Sequence, residues 1–509
     1  MQNNFQIPVS EITTVAKGAG IIFIGTIIGN GLRYLFEVSV ARSIGPALFG
    51  LFFLGLAVLK ISEIISTVGI PSGVLRYVAI FNGEGDKERI KGIIILAIGV
   101  ALIAGIIAAI LLIVTSKIVA VGVLKKSGLM NVLRLLALGI PFSALTTVLI
   151  SSTQGFQIMK YKVYVRDLFE PTTRLLIVMV VFIFGWKLYG VIFAYLISIA
   201  LGSALTSYCL NRVFPTIARK YIKPIFEWRK LFTFSWPLFF ANSLFVILLW
   251  TDTLMIGFFK TSHDVGIYAA AQRTALLGTV VLASFATIFR PMISDLHNRK
   301  EHKKLESLFK IVTKWTFTFS FPIFVLIVFF VKPILSIFGQ NFTMGANCLV
   351  ILSIAQLVRS GTGPSGQMIS MIGRSKTVLA NAATVFLVNV VLNLILIPKY
   401  GILGAATATA FSIILVNVMK LLEICFILGI HPYRIDFLKP LIAGAGGLFG
   451  LYITTNYFIP IYYSPLFFSA TGSLFFIGIY VLFLFLLKIG KEDIIVLDRI
   501  KARLSFKSS

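Results

Sequence analysis

About fourteen apolar stretches, each near the roughly 20 residues that a helix needs to cross a lipid bilayer, follow one another along this chain. Nothing else in the sequence restricts the fold so strongly. In hydrocarbon the backbone polar groups must be satisfied within the segment itself, so runs of this length predict helices. They lie near 18–41, 47–80, 92–114, 128–158, 166–186, 188–211, 231–258, 264–296, 307–331, 344–373, 376–397, 402–428, 438–457 and 464–488. Several exceed a straight crossing and predict tilt, bends or extensions beyond the membrane. No intervening segment is long enough to build a soluble core. With 58% hydrophobic and 13% charged residues, the chain reads as an all-α polytopic membrane protein.

Loop charge sets the orientation. If the N-terminus is cytoplasmic, loops and tails on that side carry 28 of the 46 Lys and Arg, the opposite side carries 8, and ten lie inside apolar segments. Both termini are therefore expected in the cytoplasm, with the protein multi-pass in the cell membrane. The loop holding Lys117, Lys125 and Lys126 dissents. The net charge of +27 is spread over alternating short loops, which argues against a nucleic-acid surface and favours anionic membrane lipid as a partner. Gln2–Lys17 has no basic leader pattern, so no removable signal peptide is expected. Cys209, Cys348 and Cys425 fall on separate spans, and the four histidines fall at or near loops. No disulfide framework, metal or cofactor is expected. Gly444–Gly450 looks faintly like a dinucleotide loop, but without a preceding strand it reads as a small-residue helix contact.

Ten cations sit inside the apolar stretches: Arg33, Lys60, Arg76, Arg134, Arg174, Arg273, Arg290, Lys314, Arg359 and Lys420. Only Glu37, Glu63, Asp252 and Glu423 oppose them at similar depth. A charge in the bilayer costs about 3 kcal/mol on insertion scales, so it is normally kept for a pathway or a partner. An excess of cations predicts a cavity for an anion. Arg33 and Glu37 share a helix face at i, i+4, and Lys60 and Glu63 do so at i, i+3. Arg273, about 13 Å inside its span at 1.5 Å per residue, is too deep for easy snorkelling. These, with Arg174 and Arg359, are the candidate headgroup ligands. Glu37, Glu63 and Asp252 are candidates for ion pairing or ion coupling. Arg76 and Arg290 sit near the cytoplasmic ends of their spans and read as anchors, or as an entry or gate pair. Arg134, Lys314 and Lys420 read as ordinary anchors.

An internal repeat organises the chain. Gly50-Leu-Phe matches Gly266-Ile-Tyr at an offset of 216, and Arg76 matches Arg290 at 214. Each block runs into a charged loop, Asn82–Gly92 and His297–Ser307. Two parallel six-span lobes are expected, 1–212 and 231–428, joined by a basic cytoplasmic linker at 213–230. Residues 429–509 supply two extra spans and a basic tail. Arg359–Gln367, with three Gly and Pro364, should interrupt its helix, while Pro71, Pro141, Pro171, Pro237, Pro291 and Pro322 offer kinks.

Three spaced blocks carry a resemblance. Ala41–Ala79 resembles the first-lobe signature of polysaccharide flippases in the multidrug/oligosaccharidyl-lipid/polysaccharide exporter superfamily. Trp250–Leu277 resembles its second-lobe counterpart, and Gly363–Lys376 with Leu392–Ser412 resembles the eleventh and twelfth spans. The resemblance covers roughly 18–430. It implies a two-lobed transporter that flips an undecaprenyl- or dolichyl-linked oligosaccharide to the outer leaflet. It also implies that Arg273 lies in a central cavity and that Asp252 is the aspartate of the D-x-L-x-x-G string; depth and the shortage of nearby acids put Arg33 in the same cavity. The lipid-linked phosphate or pyrophosphate suits Arg forks. Such a protein needs no ATP site, and no GxxxxGK[ST] string occurs. It is expected to be a monomer, working beside glycosyltransferases of its pathway. Two rivals are a cation-coupled multidrug exporter of the same superfamily, which needs intramembrane acids, and a membrane glycosyltransferase or polymerase. The latter calls for paired outside carboxylates, and none are present.

Overall fold

The computed structural model describes residues 9–219, 221–453 and 465–487. They form α-helices joined by short π and 3-10 turns, with no strand among the described residues. The helices are α1 (Val9–Thr67), α2 (Ile70–Glu84), α3 (Lys87–Lys117), α4 (Leu129–Ala137), α5 (Ile140–Gly155), α6 (Lys160–Lys162), α7 (Glu170–Ile183), α8 (Leu188–Val213) and α9 (Trp228–Phe259). They continue as α10 (Ser262–Leu276), α11 (Val280–Asn298), α12 (His302–Phe329), α13 (Val331–Ser336), α14 (Ala346–Gly361), α15 (Ser365–Met371), α16 (Ser375–Tyr400), α17 (Ile402–Leu428), α18 (Lys439–Ile453) and α19 (Pro465–Leu486). Among the described residues nine helical stretches are long and apolar enough to cross a membrane, or ten if α4 and α5, bent by 44°, make one span. The chain is an all-α polytopic membrane protein. The basic tail expected beyond the last span lies outside the described residues.

Several expected spans are divided differently. The first two run as one helix, α1, whose only non-helical residue is Gly45 (φ 75°, ψ 172°), directly before Pro46. The second expected span then breaks at Val68–Gly69, both at positive φ, and resumes as α2. Pro71 and Pro141 lie in the first turns of α2 and α5, directly after the break at Val68–Gly69 and the 44° bend between α4 and α5. A missing N–H is tolerated in a first turn. Pro171 lies at the start of α7, where the π-helix Val163–Phe169 runs into it. Pro237 and Pro322 do lie inside helices, α9 and α12. The interruption expected at Arg359–Gln367 is present, with Gly363 at φ 64° between α14 and α15.

The chain groups into two compact units. The first holds residues 1–269 and 397–402, and the second holds 270–396 and 403–509. Residues 231–269, which the repeat assigns to the second lobe, therefore pack with the first unit. In that unit Ile70, Val74 and Val78 of α2 close on Ile90, Ile93 and Ala97 of α3, with Ala144 and Val148 of α5 and Leu231 of α9. In the second unit one cluster joins Phe321 of α12 to Ala443 and Phe476 of α18 and α19, and another joins Phe309 to Met368 and Ile424. Lipid tails are as apolar as these side chains, so packing and close approach hold such helices together more than removal from water does. The outward side of α3 confirms the solvent it is built for: Ile103, Ile106, Ile107, Ile110, Leu111 and Val114 are all exposed.

One close approach inside the first unit is reciprocal. A Cβ on Gly50 of α1 would collide with the carbonyl oxygen of Ser262, and a Cβ on Gly266 of α10 would collide with that of Pro46. Positions 46 and 262, like 50 and 266, are separated by the repeat offset of 216. The two helix starts meet backbone to backbone, which only glycine permits at this distance.

Candidate functional site

The centre of the site is a stretch of π-helix, Val163–Phe169, between α6 and α7. Wide turns of this kind are uncommon and concentrate where function needs a side chain redirected. Gly25 and Gly29 of α1, spaced as a small-xxx-small pair, seat it. A Cβ at Gly29 would strike the carbonyl of Asp167, and one at Gly25 would strike the Val163 side chain. The close contact brings three consecutive charges of the chain, Arg166, Asp167 and Glu170, against α1, α5 and α7.

Arg33 of α1 donates to the Asp167 carboxylate at 2.5 Å, to the Arg166 carbonyl at 2.8 Å and to Asn30 Oδ1 at 3.0 Å. About four turns of α1 past the Gly45 kink, Lys60 Nζ meets Glu63 Oε2 at 2.6 Å. Glu63 Oε1 accepts from Thr147 Oγ1 of α5 at 3.2 Å and lies 3.8 Å from the Arg166 guanidinium. Arg166 also donates to Thr147 Oγ1 and lies 3.9 Å from Glu170. Glu63, Asp167 and Glu170 are all buried. Arg174 of α7 completes the group: its Nε donates to Ser198 Oγ at 3.2 Å, and its guanidinium stands 4.1 Å over the Tyr195 ring of α8. Arg33, Glu37 and Glu170 are within electrostatic reach of it.

The charge balance differs from what the sequence suggests. Four cations, Arg33, Lys60, Arg166 and Arg174, stand with four acids, Glu37, Glu63, Asp167 and Glu170. Hydropathy starts the fifth span at Arg166, which makes that residue a loop charge, and Asp167 and Glu170 are not among the four acids it selects. The signal available was the string Arg-Asp-x-x-Glu-Pro against an apolar run. Chemically, an anion reaching Arg33 or Arg166 would have to displace a carboxylate, which would then be open to a proton or a cation.

The other candidates lie apart from this cluster. Asp252 of α9 is buried and accepts from Tyr268 Oη of α10 at 2.7 Å. Arg76 is exposed on α2, its guanidinium 4.3 Å over the Phe234 ring of α9. In the second unit, Arg273 is half-buried in the last turn of α10, and Arg290 is exposed on α11. Arg359 is exposed in the last turn of α14. Glu423 of α17 accepts from Asn381 Nδ2 at 2.8 Å.

Comparison with known proteins agrees with this architecture. A MatE profile matches residues 237–395. A stretch of 169 residues is 34% identical to the probable low-salt glycan biosynthesis flippase Agl15 of Haloferax volcanii, spanning 32% of this chain and 35% of that one. The probable flippase AglR of the same organism is 25% identical over 42% of this chain and 44% of its own length. The chain thus spans well under half of either flippase. An uncharacterized membrane protein of Methanocaldococcus jannaschii is 24% identical over 78% of this chain and 81% of its own. Among solved structures, the lipid II flippase MurJ in an inward closed conformation has the same fold at TM-score 0.72 and 18% identity, covering 91% of this chain and 97% of that one. An inward-facing multidrug resistance MATE family transporter follows at TM-score 0.67 and 15% identity, covering 81% and 98%. The relatives and neighbours whose role is stated are flippases and transporters, not enzymes. The profile of the polysaccharide biosynthesis protein family matches residues 15–297, more than half of the chain, and the protein belongs to that family.

Proposed function

We propose that the protein is a secondary flippase that moves a lipid-linked oligosaccharide, carried on an isoprenoid phosphate or pyrophosphate, from the inner to the outer leaflet for cell-surface glycan synthesis. The observation that carries this reading is the cluster of half-buried Arg33, Lys60, Arg166 and Arg174 with the buried carboxylates of Glu63, Asp167 and Glu170. Ionisable groups are tolerated inside a membrane where they serve a transport path. Arg forks match phosphate oxygens bidentately, and the carboxylates hold the empty site neutral between turnovers. In this reading Arg273 and Arg359 are further ligands for the anion along its path, and Arg76 and Arg290 admit or gate it. The chain works as two parallel six-helix lobes, 1–212 and 231–428, with the linker 213–230 and the extra spans of 429–509. Its termini are cytoplasmic in the cell membrane, and it acts as a monomer among anionic lipids, supplied by glycosyltransferases.

Two negative charges crossing a 100 mV inside-negative potential would gain about 4.6 kcal/mol, at about 2.3 kcal/mol per charge, so export needs no ATP. The test is flipping of an isoprenoid pyrophosphate-linked glycan in proteoliposomes under an imposed potential. Potential-driven flipping without ATP supports the reading; a strict ATP requirement, or no flipping by active reconstituted protein, removes it. The balance of four acids against four cations also favours a second reading, a cation-coupled multidrug exporter. It predicts that cationic dyes, not anionic lipids, are expelled in exchange for protons or Na⁺, which the same vesicles measure.

A further inference from the structure

We propose that Arg359 of α14 and Lys420 of α17 form an anion-binding subsite for a phosphate-bearing lipid headgroup, seated over the break between α14 and α15. The inference rests on the flippase reading and adds to it a location in the second unit where the anion is held.

The contrast with the first unit is the starting point. There, each half-buried cation has a carboxylate within 4 Å or in electrostatic reach. Arg359 instead has none in reach among the described residues, and it stands near enough to Lys420 for the two to repel one another. No ion pair to either occurs among the described residues. The carboxylate within reach of Lys420 is Glu423, and it already receives the Asn381 amide at 2.8 Å. Two like charges in an apolar segment are costly, and an anion of charge −1 or −2 removes that cost.

The backbone brings the pair together. Thr362 Oγ1 donates to the Arg359 carbonyl at 3.0 Å and lies 3.5 Å from Asn417 Oδ1, so the end of α14 is tied to α17 one turn before Lys420. A Cβ placed on Gly366 would lie 3.6 Å from the Lys420 ammonium, which therefore stands over the first turn of α15. The intervening sequence, Gly361-Thr-Gly-Pro-Ser-Gly366, contains nothing bulky enough to fill the space between the cations. A planar fork and a point charge on one side of a small-residue break suit a phosphate or diphosphate group. The helical stretches that carry them, Gln340–Gly361 and Ile402–Leu428, are both long and apolar enough to cross a membrane, so an anion bearing a hydrocarbon chain fits that setting better than free phosphate does.

The test uses the full-length protein in phosphatidylcholine nanodiscs, with a fluorescent farnesyl diphosphate as probe and unlabelled farnesyl diphosphate, inorganic pyrophosphate and phosphatidylglycerol as competitors. Arg359→Gln/Lys420→Gln should bind the probe at least tenfold more weakly than wild type. Its thermal midpoint should stay equal or rise, because the repulsion between the two cations is gone. Arg359→Lys/Lys420→Arg should bind within about threefold of wild type, and the two single Gln variants serve if the double variant does not fold. Equal binding by wild type and the Gln variants overturns the subsite while leaving the flippase reading intact. A wild-type protein that binds no probe overturns both. Inorganic pyrophosphate competing as well as farnesyl diphosphate overturns the assignment to a lipid headgroup. Phosphatidylglycerol competing as well supports a lipid headgroup and identifies it as bulk phospholipid.

Discussion

Removing the Glu63 carboxylate tests whether the first-unit cluster is a neutral assembly. In Glu63→Gln the Lys60 ammonium loses its partner at 2.6 Å, and Arg166 loses one at 3.8 Å. The side chains of Glu63 and Lys60 are 11% and 27% exposed, so solvent screens the loss only in part. Breaking a buried pair from one side costs about 3 kcal/mol, chiefly because the other charge is left behind. At roughly 2 °C per kcal/mol for a cooperative unit of this size, the thermal midpoint should fall by roughly 6 °C. Lys60→Met/Glu63→Gln removes both charges while Arg166 keeps Thr147 and Glu170, and it should recover to within about 2 °C of wild type. The assay is the intrinsic-fluorescence melt of purified protein in one detergent. A single variant with the wild-type midpoint, or a double variant as unstable as the single one, would refute the reasoning.

Arg33→Ala and Asp167→Asn should each abolish glycan export in cells at near-normal membrane abundance; full export in both would remove the cluster from the transport path. Arg174→Lys keeps the charge but loses the flat stack 4.1 Å over Tyr195 and should lower the midpoint by an amount matching about 1 kcal/mol, whereas Tyr195→Phe should not. Gly50→Ala and Gly266→Ala should each cut export more than tenfold, measured as accumulated inward-facing glycan lipid, since each methyl meets a carbonyl. Outside the spans, the hydrogen bond and charge of Lys439 hold the Asp436 carboxyl below its ordinary 3.8. Its contribution is complete above that value and is lost as pH falls through the lower folded one. The difference in midpoint between wild type and Asp436→Asn should therefore stay constant from pH 5 to 8, and a change within that window would count against the contact.

Apolar run length made the helical membrane fold legible, because a bilayer leaves the backbone one local solution. The break at Gly361–Pro364 and the Lys60–Glu63 pair were equally plain, since both depend on residues within one turn. The partner of Arg33 was not, because Asp167 is 134 residues away and its placement depends on a π-helix. No periodicity announces such a turn. Hydropathy also pushed Arg166 out of the membrane, whereas tertiary pairing with Glu63 and Glu170 lets it stay in the protein interior.

The contact between Gly50 and Gly266 has a further meaning. Each touches the carbonyl that precedes the other's helix turn, with one offset relating all four positions. This is the form of an isologous contact, in which a surface meets a copy of itself across a two-fold axis. A half-length ancestor pairing with a second copy would have needed this glycine once, and one mutation would have altered both sides together. Fusion of two such halves would double the requirement. A bulkier residue at either position now clashes on its own, and no change at the other glycine can relieve it, because the obstacle is backbone in both directions.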